Sequence, residues 1–215
     1  MRIPNFLEDE EARALASALL DHVSWDWVFC DSKGQVQSLP EGTIASWAQK
    51  QVDSVRRSVY EHAREHFQFS YRKFSVLAAV RAGVALPEVL ASWLESFASA
   101  ESLSRLRALT GAHDIQRVDA QITLYRPGDF LTVHTDDHDQ RYERRVAYVY
   151  NLCPYWRADW GGLLLFHNDA GAIVDAWLPA WNTLNLFSVP QPHSVSMVTP
   201  FAGVPRLSIT GWFTA

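Results

Sequence analysis

The spacing of apolar positions changes near residue 115, and the kind of element the chain predicts changes with it. In "LEDEEARALASALLDHV", residues 7–23, apolar residues fall at Leu7, Ala12, Leu15, Leu19 and Val23. That spacing is close to helical, and acidic residues occupy the first turn, where the helix dipole favours them. "IASWAQKQVDSVRRSVYEHAREHF", residues 44–67, repeats the pattern through Ile44, Trp47, Val52, Val55 and Val59. "LPEVLASWLESFASAESLSRLRALTG", residues 86–111, predicts a third helical region with Pro87 in its first turn and Gly111 as C-cap. From about residue 117 the runs are short, β-branched and aromatic: "VDAQITLY", "RVAYVYNL", "GGLLLF", "NTLNLF", "HSVSMV" and "RLSITGWF". Pro, Gly, Asn and Asp separate them, as turns separate strands. The expectation is a mainly β protein with flanking helices. Residues 116–215 form a sandwich or jelly roll, residues 1–115 are mostly helical support, and 1–215 is one domain.

Composition narrows the function classes. The chain has 215 residues, 48% of them apolar and 20% charged, with a formal charge of −5. An acidic balance argues against sequence-independent nucleic-acid binding, which needs a basic footprint. No apolar run approaches the roughly 20 residues of a membrane span. The start, "MRIPNFLEDEEARAL", turns acidic within ten residues and has no leader-like apolar segment. Cys30 and Cys153 are too few for a disulfide framework or a zinc cluster. These features together predict a cytoplasmic protein with reduced thiols. Nine Trp and eleven Phe suit a wide β interior or a lined pocket.

Candidate chemistry gathers in "YRPGDFLTVHTDDHDQR", residues 125–141. Residues two apart on a strand share a face, so His134 and Asp136 project together. A third ligand has to come from a distant segment, and His193 in "VPQPHSVSMV" is the candidate, with Pro190 and Pro192 fixing the chain before it. Two His and one carboxylate leave positions open on an octahedral ion, the arrangement of non-haem Fe(II) oxygenases. Zinc hydrolases also use this set, and a solvated acidic turn is the plain alternative. Arg206 opens the strand "RLSITGWF". In a β interior it needs an anion, and its planar fork suits a carboxylate. Ser208 shares its strand face and offers a hydroxyl. A dicarboxylate held by the metal at one end and Arg206 at the other accounts for all these residues. A structural ion pair is the competing reading of Arg206.

The segment from about 117 to 213 resembles the prolyl-hydroxylase-like branch of the 2-oxoglutarate- and Fe(II)-dependent dioxygenases. The resemblance rests on "LYRPGDFLTVHTD", "RRVAYVYNLCPYW", "WGGLLLF", "PAWNTLNLF", "PHSV" and "PRLSITGWF", in the family's order, with "IPNFLEDEEARAL" similar to its opening strand and first helix. It implies a double-stranded β-helix with His134, Asp136 and His193 on iron and Arg206 on the distal carboxylate of 2-oxoglutarate. Tyr125 matches a family tyrosine of the cosubstrate pocket. Asn151 stands where many relatives carry a second cosubstrate-binding Tyr, with Tyr148 and Tyr150 nearby, so that role is unassigned. The stretch from His193 to Arg206 is longer than in some relatives, as a wider hairpin at "TPFAGVP". The implied reaction consumes O₂ and 2-oxoglutarate, with ascorbate as a candidate reductant, and hydroxylates an unactivated C–H. The implied substrate is a prolyl residue of a protein or peptide, with a free small molecule as the alternative. A ligand-binding jelly roll without turnover and a zinc hydrolase are the competing classes.

Other polar clusters have plainer readings. "HAREH", residues 62–66, fits an H-x-x-E-H zinc-protease pattern, but its helix is polar on that side and reads as a surface face. Asp137, His138 and Asp139 read as the solvated rim of the candidate site. His167, Asn168, Asp169 and Gly171 read as a hairpin turn. Cys153 reads as packed, and His22 and His113 have no evident partner.

Overall fold

A computed structural model of the chain describes residues 1–137 and 143–215. The first half runs β1 (Arg2–Pro4), α1 (Asp9–Asp21), β2 (Asp26–Cys30), β3 (Val36–Pro40), α2 (Glu41–Ala45) and α3 (Gln49–His62). It continues with β4 (Phe69–Ser75), α4 (Val76–Arg81), α5 (Glu88–Phe97), α6 (Ala100–Thr110) and β5 (Arg117–Val118). The second half holds β6 (Gln121–Tyr125), β7 (Phe130–His134), β8 (Arg144–Asn151), β9 (Leu164–His167) and β10 (Ile173–Trp177). β11 (Thr183–Ser188), β12 (His193–Val195) and β13 (Arg206–Thr214) complete it.

The three helical regions form where the apolar spacing places them, with two divisions: in the second, Ile44 lies in the short α2 whereas Val52, Val55 and Val59 lie in α3. The third breaks into α5 and α6 because Ser99 caps a new helix, its hydroxyl accepting from the Ser102 N–H at 3.2 Å. Gly111 ends α6 in the left-handed region at φ 74°. Pro87 lies one residue outside α5. The first half is less helical than its apolar pattern implies, because it also contributes strands β1 to β4. β2 is buried along most of its length, so it shows an unbroken apolar run rather than alternation. β4, "FSYRKFS", carries too many polar residues to advertise itself. Its conformation is set by pairing with β6, β7 and β2, a tertiary constraint that local spacing does not carry.

All strand pairings among the described residues are antiparallel, and the sheet order is β1-β11-β8-β13-β6-β4-β7-β12-β9-β10. β4 bends between two partners: Arg72 to Ser75 pair with β6, whereas Phe69 and Ser70 pair with β7. This bend lets the sheet curl over itself into a jelly roll. Strand parity then divides the side chains. On β13, Leu207, Ile209 and Phe213 enter the core shared with the helices, where Leu15, Leu19 and Leu90 are fully buried. Burying each such side chain stabilises the fold by roughly 1.5–3 kcal/mol. Arg206, Thr210 and Trp212 take the other face and line the cavity inside the curl. Among the described residues, no helix is long and apolar enough to cross a membrane.

Candidate metal centre

His134 ends β7, His193 opens β12, and the two are register partners across the strand pair. Asp136 follows two residues after His134. Its Oδ1 lies 3.4 Å from His134 Nε2 and its Oδ2 lies 3.5 Å from His193 Nε2. The imidazole centroids are 4.2 Å apart. Among the described residues, these three make the one group of His, Cys, Asp and Glu side chains able to share an ion, with ligand atoms within 4.8 Å of one another.

The other imidazole nitrogens are tied back. His134 Nδ1 is 3.0 Å from the Thr132 carbonyl oxygen and His193 Nδ1 is 2.7 Å from that of Gln191. A carbonyl only accepts, so each Nδ1 carries its proton and donates, leaving Nε2 as a free lone pair facing Asp136. Burial, helped by the proximity of His134, drops the His193 pKa to about 4, so the ring is neutral at pH 7. Burial alone raises the Asp136 pKa, but the two imidazoles beside it outweigh that and hold the group below the usual range. Two imidazoles and one carboxylate converge, which fits a divalent ion such as Fe(II) or Zn(II). Arg144 straps the Asp136 turn, donating from Nη1 to the Asp136 carbonyl oxygen at 2.9 Å while its guanidinium lies 3.6 Å over the Trp212 ring.

The cavity beside this group has a free volume of about 510 Å³, counting its open mouth. Arg206 lines it, 2% exposed, with its Nε unpaired. The groups that bear on Arg206 are Tyr125 and Cys153, and burial raises both pKa values, so neither carries charge. A buried guanidinium without a carboxylate among the described residues lacks a counter-ion. Its carbon lies 5.1 Å from the Tyr125 ring centroid, and Tyr125 is its register partner on β6. Ser208 shares the strand face as expected, but its hydroxyl donates to Asn151 Oδ1 at 3.2 Å, outside the cavity lining.

Three positioning features escaped the motif reading. A Cβ on Gly162 would meet Trp156 at 3.0 Å and Arg206 Cδ at 3.2 Å, and its φ of 63° is itself a glycine conformation. Gly162 thus lets the Arg206 stem pass, a role hidden when "WGG" is read only as the start of a strand. Buried Asp129 fixes the turn before β7, accepting from the Arg126 N–H at 2.9 Å and the Ser70 hydroxyl at 2.8 Å. Tyr71, on β4, lines the cavity and stacks on Tyr125 with centroids 4.9 Å apart. No motif contains it.

Residues with plainer readings keep them. The His62 and His66 rings lie 4.6 Å apart at the end of α3, with no third ligand among the described residues. Asp137 is exposed, while His138 and Asp139 lie outside the described residues. The 167–171 segment is the β9–β10 hairpin, where Asn168 Oδ1 accepts from the Ala170 and Ala172 N–H groups. His22 and His113 are exposed. Cys153 is buried, and burial pushes its thiol up to about 11; both cysteines are free.

Residues 120–214 match the family described as the 2OG-Fe(II) oxygenase superfamily. That match and the His-Asp-His group imply Fe(II) as the metal and 2-oxoglutarate as the cosubstrate of this chain. Its homologues are prolyl-hydroxylase-like. It is 35% identical over 115 residues to Prolyl 3-hydroxylase OGFOD1 of Xenopus laevis, covering 50% of this chain and 22% of that protein. It is 29% identical over 196 residues to Prolyl 3-hydroxylase sudestada1 of Drosophila melanogaster, covering 84% of this chain and 32% of that protein. The chain therefore spans a third or less of these relatives. The fold is that of a Pseudomonas putida prolyl-4-hydroxylase, with a TM-score of 0.61 and 19% identity over 100% of this chain and 91% of that one. It is likewise that of a Trichoplax adhaerens prolyl hydroxylase solved with a hypoxia inducible factor peptide fragment, with a TM-score of 0.59, 20% identity, and 100% and 82% coverage.

Proposed function

We propose that this chain is a 2-oxoglutarate- and Fe(II)-dependent dioxygenase that hydroxylates an unactivated C–H of a prolyl residue in a protein or peptide. One observation carries the reading: a buried Arg206, with no carboxylate partner among the described residues, lines the same cavity as a converging His134, Asp136 and His193. A zinc hydrolase needs no such cation, whereas a dicarboxylate cosubstrate does.

In this reading His134, Asp136 and His193 hold Fe(II), and Arg206 receives the distal carboxylate of 2-oxoglutarate beside Tyr125. When bound, iron and cosubstrate supply the oxidising chemistry: O₂ and 2-oxoglutarate give succinate and CO₂, and one oxygen atom enters the substrate. The chain's own residues bind and orient. His134 and His193 keep their Nδ1 protons on backbone carbonyls and so present Nε2. Arg206 complements the carboxylate in a cavity that limits water, where its charge counts for more than at the surface. Near the metal group, exposed Phe67 lies 5.6 Å from the His134 ring and Phe187 lies 4.8 Å from the His193 ring. Apolar rings here suit a pyrrolidine better than a charged side chain. The relatives named prolyl hydroxylases support the substrate class. The buried free thiols support a reducing, cytoplasmic setting.

The test is mass spectrometry of a proline-containing peptide library incubated with Fe(II), 2-oxoglutarate, ascorbate and O₂. The reading expects a one-oxygen gain on proline, with succinate formed in step. Succinate coupled to oxidation elsewhere would refute the prolyl assignment, and no succinate with any substrate would favour a binding module.

A further inference from the structure

We propose that Tyr71, on β4, is a cosubstrate-binding residue whose phenol, beside that of Tyr125, supplies the second hydroxyl facing 2-oxoglutarate that no residue of β8 provides. The inference rests on the reading above.

Three residues of β8 are candidates for that hydroxyl or its equivalent, and each is engaged elsewhere. Tyr148 and Tyr150 fall on the strand face that packs into the helix-facing core. The Tyr148 hydroxyl donates to the Asp119 carbonyl oxygen at 2.8 Å, and that of Tyr150 to Asn182 Oδ1 at 2.8 Å. Asn151 has the right parity but is fully buried. Its amide donates toward the Val149 and Thr183 carbonyl oxygens at 3.4 and 3.3 Å, and its Oδ1 accepts from Ser208.

Tyr71 has the opposite character. It sits at the bend where β4 leaves β6 for β7, so its ring enters the curl of the sheet. It stacks on Tyr125 at 24°, and Tyr125 in turn lies beneath Arg206. The result is a row: phenol, phenol, guanidinium. Neither phenol hydrogen-bonds to a described residue. Burial, then the negative charge of Asp136, raises the Tyr71 pKa, so the hydroxyl is a proton donor at neutral pH. Two neutral donors next to one cation match a guest that is anionic and rich in acceptor oxygens. A packing role alone would need only the ring, which touches the cluster of Val28, Cys30 and Phe69 and would be served equally by phenylalanine.

That difference defines the experiment. Protein loaded with Mn(II) is titrated with 2-oxoglutarate by calorimetry for wild type, Tyr71→Phe and Tyr125→Phe. Mn(II) affinity is followed by electron paramagnetic resonance, and melting temperature is recorded for each. Losing one hydrogen bond to a charged acceptor predicts a Kd about tenfold or more weaker for Tyr71→Phe. Its Mn(II) affinity and melting temperature should match wild type. A Kd within twofold of wild type overturns the proposal. A parallel loss of Mn(II) affinity, or a large fall in melting temperature, also overturns it, because either makes Tyr71 a support of the metal group or of the core. If wild type itself binds no 2-oxoglutarate, the functional reading falls and takes this inference with it.

Discussion

Replacing Arg206 by alanine separates a 2-oxoglutarate enzyme from a generic metal site. The side chain is 2% exposed, its Nε has no partner, and its neighbours Tyr125 and Cys153 are neutral. A bound dicarboxylate would therefore find in Arg206 its one full positive charge on that side of the cavity, among the described residues. Removing one partner of a buried charge pair costs about 3–5 kcal/mol. At about 1.4 kcal/mol per factor of ten, 2-oxoglutarate affinity should fall at least a hundredfold. Arg206→Lys should recover only part of the loss, since a point charge does not reproduce the planar fork. Arg206→Met adds an independent readout. It removes an uncompensated buried charge while keeping most of the stem's packing, so the ligand-free protein should become more stable, by about 1–4 kcal/mol. The assay is anaerobic calorimetry of 2-oxoglutarate into Mn(II)-loaded protein, with thermal melts of the ligand-free variants. Unchanged 2-oxoglutarate affinity in Arg206→Ala would refute the reasoning. Equal loss of Mn(II) and 2-oxoglutarate would make Arg206 structural.

Further outcomes follow from the same geometry. His134→Ala or His193→Ala should abolish stoichiometric metal binding while circular dichroism stays native, and Asp136→Glu should weaken it less than Asp136→Ala; full succinate production in either His variant would remove that residue from the centre. Gly162→Ala should weaken 2-oxoglutarate binding about tenfold through the Arg206 stem and lower stability by about 1–2 kcal/mol, because a Cβ at positive φ is strained; equal affinity would show that the stem repacks freely. The His193 pKa falls from 6.5 to about 4 on folding. The unfolded chain therefore takes up its proton first, so stability present above about pH 6.5 is lost as pH falls toward 4. Melts of the metal-free protein between pH 7 and 4 should show that loss, and a His193→Gln variant should show a shallower one.

Much of the site was legible because its chemistry is compressed into strand ends. The two-residue period places His134 with Asp136, and Arg206 with the cavity face of β13, from sequence alone. The third candidate ligand, His193, rests on its flanking prolines and on the family resemblance, since the pairing of β12 with β7 is a tertiary fact. What escaped reading sits on β4. A strand of mixed polarity within a helical half carries no periodic signal, yet its bend between two partners joins the halves of the sheet and carries Tyr71 into the cavity. Ser208 shows the complementary limit: parity fixes its face, but not that its hydroxyl is taken by Asn151. Gly162 matters through what it lacks, which no motif records.

The claim that His134, Asp136, His193 and Arg206 serve one 2-oxoglutarate-dependent iron centre is tested most directly by anaerobic titration of the Fe(II)-loaded protein with 2-oxoglutarate, followed in visible absorption. The account predicts a weak charge-transfer band that saturates at one equivalent of 2-oxoglutarate. The band should be absent when Zn(II) replaces iron, weakened in Arg206→Ala, and discharged by O₂ as succinate forms. A wild-type protein that binds Fe(II) stoichiometrically, yet develops no band and yields no succinate, would contradict it.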